Sequence, residues 1–346
     1  MKLFTRIFFL LLGVAAFAGC GLVDEDMRDC ETDYTLDYQL KLVTNMTTEL
    51  KTQLVLASEV SVQAALQQEL QKVFVDNAHD VNLSFYDVEG DSLRLHHETH
   101  VMDASQSSYT LYIPVRKYMH LAAANLEENP LVSLVNDEKC HTARLHQEIR
   151  DTLDSHTAGI FSARKLMDIQ EGVDQQFNVG LFMVNCAATL VLDTLGSHVR
   201  NVQVYTSGFA TDFDLADSTY RFQYTPIIRT KQVVTPAGDP LCFASVQFPS
   251  READGTKSII DTDDPFTSEA ADHALWQYRV YITLQDGSIT ETLLGVRMPL
   301  KAGQVKVVRG VVTKQGATEP QGDYKQMVTT TVQMDWTPGL DWEVDL

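Results

Sequence analysis

The residues whose types and spacing could do chemistry are few. In "HHETH", His96, Glu98 and His100 alternate, so in a strand all three fall on one face and present two imidazoles and a carboxylate, the donor types of a metal site. The spacing is not that of a zincin helix, which needs two residues between the glutamate and the second histidine. Exposed polar residues on a strand are the expected reading, and no metal is assigned. The acidic run "DTDDPFTSEAAD" (261–272) has Phe266 where a calcium loop needs glycine and Asp272 where it needs glutamate, so it reads as a surface loop. The chain has no G-x-S-x-G, no Walker A, no G-x-G-x-x-G and no C-x-x-C. No catalytic residue and no cofactor is assigned, and the expectation is a protein that is not an enzyme.

The most specific chemistry lies at the start. Lys2 and Arg6 precede an apolar stretch from Ile7 to Phe17, long enough for a secretory leader and too short for a membrane span. It ends in Phe17-Ala18-Gly19-Cys20, which resembles the lipobox of bacterial lipoproteins, with Phe17 in place of the usual leucine. That assigns 1–19 as a signal peptide and Cys20 as the acylated N-terminus of the mature chain. Each buried CH₂ contributes about 0.8 kcal/mol and one chain binds only marginally, so a two- or three-chain lipid anchors essentially permanently. Asp24-Glu25-Asp26 follows at once and is similar to the acidic tract that sends Bacteroidales lipoproteins to the cell surface. Residues 20–32 are therefore read as an acidic lipidated linker. The location expected is the cell outer membrane, lipid-anchored and surface-exposed.

Composition bounds the rest. The chain has 346 residues, 44% of them hydrophobic, and a formal charge of −20; loss of Lys2 and Arg6 with the leader deepens that to −22. Nucleic acid and anionic lipid surfaces are poor partners for such a surface. At about 150 residues per domain the mature chain suggests two domains. Of five cysteines, Cys30, Cys140, Cys186 and Cys242 remain once Cys20 carries lipid. Four permit three pairings. Cys30 with Cys140 and Cys186 with Cys242 keep each bridge inside one expected domain, and buried free thiols are the alternative. Asn45-Met46-Thr47 and Asn82-Leu83-Ser84 match N-glycosylation by chance in a bacterial lipoprotein, while Asp91-Ser92-Leu93, Asp151-Thr152-Leu153 and Asp193-Thr194-Leu195 resemble a short O-glycosylation acceptor.

The elements that must position these residues are mostly strands. Tyr34, Leu36, Tyr38, Leu40 and Leu42 alternate, as do Val81, Leu83 and Phe85, and then Tyr109, Leu111, Ile113 and Val115. One segment breaks the period: Val62, Leu66, Leu70 and Val73 recur at helical spacing, predicting one amphipathic helix over a sheet. Residues 126–170 are polar and read as loop, short helix and linker. Alternation resumes in "QFNVGLFMVN" (176–185) and continues to "VTTTVQMDW" (328–336). "YIPVRKYMHLAAAN" (112–125) and "RMPLKAGQVKVVRG" (297–310) echo each other faintly. The expected fold is all-β in the main: two tandem antiparallel β-sandwich domains with one helical insert, at 33–168 and 169–346.

The lipobox, the acidic tract, "RDCETDYTLDYQLKLVTNM", then "DVNLSFYDVEGDSLRL", "YTLYIPVRKYMHLAAAN" and "IFSARKLMDI" before "FNVGLFMVNCAATLVL" together resemble the FimB-type anchor proteins of type V fimbriae. The resemblance implies two transthyretin-like sandwiches, a fimbrial shaft subunit as partner, and contact by strand complementation, in which an unpaired sheet edge accepts a neighbour's strand. A polymerising subunit loses its first strand to an Arg-specific protease; an anchor keeps lipid and strand. Here Arg28 precedes the first strand and the next arginine is Arg94, beyond the helix and a second strand, which suits an anchor. On that reading the C-terminal strand, Val328 to Trp336, or the tail to Leu346, is the candidate subunit contact, with Val328, Thr330, Val332, Met334 and Trp336 as candidate residues. The alternatives are a surface adhesin or glycan-binding module, or an accessory or tip subunit.

Overall fold

The structure is a computed structural model that describes residues 33–43, 60–74, 78–101, 108–171, 173, 175–195, 198–236, 240–252, 258–260, 274–321 and 327–334. The expectations on the leader 1–19, the linker 20–32, Cys20, Cys30 and Trp336 lie outside these residues. Among the described residues the chain is mainly β with a single α-helix, α1 (Val60–Val73).

Four sheets carry the fold. Sheet I runs β3 (Arg94–Val101), β2 (Asp80–Asp87), β5 (Lys117–Ala124), β9 (Phe161–Asp168), β10 (Gln176–Met183), β1 (Asp33–Val43), β4 (Ser108–Pro114). Sheet II runs β18 (Ser258–Ile260), β14 (Thr219–Phe222), β13 (Asp212–Asp214), β7 (Arg144–Gln147), β6 (Val132–Val135). Sheet III runs β16 (Lys231–Val233), β17 (Leu241–Gln247), β11 (Cys186–Asp193), β21 (Val305–Val312), β22 (Thr318–Pro320). Sheet IV runs β23 (Met327–Met334), β20 (Ile289–Val296), β19 (Trp276–Leu284), β12 (Val199–Ser207), β15 (Ile227–Arg229), β8 (Thr152–Asp154).

Three cores bind these sheets into layers. Leu121 and Ala123 of sheet I pack with Val132, Leu145, Phe213 and Phe222 of sheet II, which makes the first sandwich. Leu190 and Leu192 of sheet III pack with Trp276, Tyr278, Val280 and Leu294 of sheet IV, which makes the second. Between them the opposite faces of sheets I and III share a core filled by α1 through Val62, Leu66 and Leu70. The helix forms because its apolar residues recur at three to four positions, and its place in the middle of the molecule explains why that stripe is wholly apolar. Glu69 on its outer side takes Lys72 and, from β16, Lys231, and the hydrogen bond from Lys231 holds its carboxyl below the usual range.

Sheet III is covered on both faces, so β11 is buried along nearly its whole length and reads "CAATLVLD" without polar alternation. In sheet I, β2 and β5 are buried along most of their length, while β3 and β10 alternate between less and more exposed positions.

β10 belongs to sheet I, β13, β14 and β18 complete sheet II, and β8 completes sheet IV, so short strands pass between the two sandwiches. Hydrophobic period marks a strand without naming its neighbour. The sheets include parallel pairs, β1–β10, β11–β21, β14–β18 and β8–β15. One expectation is corrected: residues 126–170, read as loop, short helix and linker, carry β6 to β9, strands that are short or flanked by polar turns, which hides their period.

Candidate functional site

The first strand is held from both sides. β1 pairs with β10 in parallel from Asp37↔Gln176 to Val43↔Phe182, and with β4 antiparallel from Asp33↔Pro114 to Gln39↔Ser108. Leu36, Leu40 and Leu42 of β1 register against Leu111, Val179 and Leu181, and these three partners are buried in the helix-side core. A strand position whose loss would open a groove in sheet I is thus occupied from within the chain.

The last described strand is an edge. β23 pairs with β20 along its full length and ends the order of sheet IV. Val328, Thr330, Val332 and Met334 register against Gly295, Leu293, Glu291 and Ile289, the positions of β20 that alternate with the core residues Leu294 and Val296. Among the described residues its outer row of backbone N–H and C=O groups has no strand partner in that sheet, the arrangement that strand addition uses.

The His96/Glu98/His100 stripe forms as its spacing predicted. β3 registers these residues against Phe85, Leu83 and Val81 of β2. One Glu98 oxygen lies 2.5 Å from His96 Nε2 and the other 2.7 Å from His100 Nε2. Burial works against ionising Glu98, yet the two imidazoles hold its carboxyl below the ordinary range. Ring nitrogens that donate to a carboxylate have no lone pair to offer a cation, and among the described residues no cluster of metal-ligating side chains forms a site. Another His–carboxylate pair was not legible in the sequence: His146 Nδ1 lies 2.8 Å from Asp212 Oδ1, and Ser133 registers opposite His146. Among the described residues no hydrogen bond joins Ser133 to that imidazole, so the row lacks the contact that would activate a nucleophile.

Cys186 and Cys242 do not pair, and the expected Cys30–Cys140 bridge rests on Cys30, which lies outside the described residues. Cys140, Cys186 and Cys242 are free and buried. Cys186 registers with Gln247 and Cys242 with Val191, which sets the two cysteines five positions apart along the β11–β17 ladder, roughly 17 Å at about 3.4 Å per residue. Cys186 also faces the core shared with sheet IV and Cys242 the core shared with α1. A disulfide needs Cα atoms within about 7 Å and side chains on one side, so the Cys186–Cys242 bridge is replaced by two buried thiols. Burial pushes the Cys186 thiol well up, and the Cys140 thiol up.

One cavity, of ≈ 710 Å³, opens where the two sandwiches meet. Ser162 and Arg164 of β9, Phe182 of β10, Tyr220 of β14, and Glu252 and Lys301 from two connections line it. Tyr220 donates from its hydroxyl to the Val184 carbonyl at 2.7 Å, and burial holds that phenol neutral by raising it well above its usual range. Phe182 is 59% exposed. No sequence pattern marks this group, because its members come from six separate stretches.

No protein-family model and no curated protein matches the chain. Among solved structures it is similar to the fimbrial anchor protein Mfa2 of Porphyromonas gingivalis at 9% identity, covering 88% of this chain and 98% of that one, with a TM-score of 0.44. The tip fimbrial protein Mfa3 of the same organism, with a C-terminal truncation, matches at 10% identity over 88% of this chain and 100% of that one, TM-score 0.40. A candidate polysaccharide-binding protein from Bacteroides thetaiotaomicron matches at 9% identity over 84% and 99%, TM-score 0.49. At this level of likeness, function has to be argued from the residues of this chain.

Proposed function

We propose that this chain is an outer-membrane lipoprotein, acylated at Cys20, that holds the base of a type V fimbria and ends its polymerisation by strand complementation. The observation that carries the reading is β1, locked between β10 and β4 within sheet I. A subunit that keeps this strand has no groove to offer in that sheet, so it can stop a fibre but not continue it. The edge of β23, with Val328, Thr330, Val332 and Met334, is then the surface offered to the last shaft subunit, and Trp336, outside the described residues, is a further candidate for that contact.

Arg94 supports the same reading. Its backbone N–H bonds the Glu138 carbonyl and its guanidinium pairs with Asp137, so the peptide is tied into the fold and protected from an Arg-specific protease. The test is genetic. Deleting the gene should give elongated fimbriae shed into the medium, and a chain truncated after residue 326 should fail to restore attachment. Fimbriae of normal length that stay on cells lacking the gene would overturn the proposal.

A further inference from the structure

We propose that the cavity between the two sandwiches binds an acidic saccharide, a sugar ring that carries a carboxylate. Its ≈ 710 Å³ lies within the range of small-ligand pockets, about 300–1,000 Å³. Three features of its wall converge on that chemistry, and none depends on the anchoring role.

The first is charge. The chain carries −20, yet Arg164 and Lys301 both stand on this cavity. Lys301 is answered by Glu252 at 3.5 Å. Arg164 is exposed, and among the described residues no carboxylate pairs with it. A guanidinium without a partner on an acidic protein presents a planar fork of donors that fits a carboxylate in bidentate fashion. The strongly negative surface around it turns away long polyanions and leaves room for a ligand of one or a few charges.

The second is apolar. Phe182 leaves 59% of its surface in solvent on the same wall, next to buried Phe213 and Met183. An aromatic ring held open by a rigid strand, paired through Phe182↔Ser162, is a flat platform for the C–H face of a pyranose. The third is the polar fringe. Ser162, Ser218 and Glu252 surround that platform and can meet ring hydroxyls as donors and acceptors. A surface that joins an apolar platform, hydroxyl partners and one unpaired guanidinium matches a sugar acid better than a neutral sugar, which leaves Arg164 unused, or an acidic peptide, which leaves Phe182 without a flat partner.

The experiment uses the chain without its leader and with Cys20→Ser to keep it in solution. Titration calorimetry is run with trigalacturonate, 3′-sialyllactose, neutral galactotriose and triglutamate. At least one of the two sugar acids should bind saturably, the neutral sugar at least tenfold more weakly, and the peptide not at all. Arg164→Gln and Phe182→Ala should each weaken the sugar acid at least tenfold, while Arg279→Gln on the outer face of sheet IV should leave it unchanged. Both side chains are exposed, so the variants should keep the wild-type circular dichroism and melting midpoint. Equal binding of neutral and acidic sugars, preference for the peptide, unchanged affinity in both variants, or no binding of either sugar acid would each overturn the proposal.

Discussion

Two buried imidazoles make this protein acid-sensitive in a pH range where its carboxylates are still ionised. His120 is fully buried in sheet I, stacked on Phe85 with ring centroids 4.4 Å apart, with its Nδ1 3.0 Å from the Ser84 carbonyl. His156 is buried near Phe248, with Nε2 3.0 Å from Gln147 Oε1. Burial lowers each to about 4, from 6.5. Because the folded value lies below the unfolded one, the unfolded chain binds more protons between pH 6.5 and 4. The stability that depends on neutral imidazole is complete above pH 6.5 and is lost as pH falls toward 4. At pH 5 each histidine costs about 2 kcal/mol, and the pair about 4 kcal/mol. Asp80, whose carboxyl burial raises, works in the opposite direction, so a variant must be compared with the parent at each pH. In urea unfolding followed by tryptophan fluorescence, His120→Phe should lose about 2 kcal/mol less than the parent between pH 7 and pH 5. Phenylalanine keeps the stacked ring and removes the proton site. An identical pH slope in parent and variant would refute the assignment of that sensitivity to His120.

Other expectations follow from the packing. Leu66→Ala empties a site at the centre of the core shared by α1, sheet I and sheet III, and should cost about 3–5 kcal/mol in denaturant unfolding; a loss below about 1 kcal/mol would mean the helix does not fill that core. Cys140, Cys186 and Cys242 should resist a thiol reagent in the native protein and react in denaturant, and a Cys186–Cys242 peptide in a non-reducing digest would contradict the ladder register. An Arg-specific protease should leave the bond after Arg94 intact in the folded chain, whereas Asp137→Ala, which removes its ion-pair partner, should expose that bond to slow cleavage.

Local period was enough to find most elements. Val62, Leu66 and Leu70 at helical spacing are the buried face of α1, and Val81, Leu83 and Phe85 are the helix-side face of β2. The placing of His96, Glu98 and His100 on one face of β3 also followed from alternation alone. The stretch from 126 to 170 failed this test because β6, β7 and β8 span three or four residues each, too few for a period to emerge from polar surroundings. The cavity lay beyond any local pattern, since Arg164 and Lys301 meet only after two sandwiches have packed.

Side-chain period and residue chemistry, which act over a few positions, determined that this chain is built of strands around one amphipathic helix, and the proposal that Cys20 is acylated rests on them alone. Which strand lies beside which was settled only in three dimensions, where the chain must cover both faces of sheets I and III at once. That demand places β10 next to β1, sends β8 to sheet IV, and turns Cys186 and Cys242 to opposite sides of one sheet. Long-range pairing depends on how whole layers bury their apolar surface, a quantity that no short window of sequence contains.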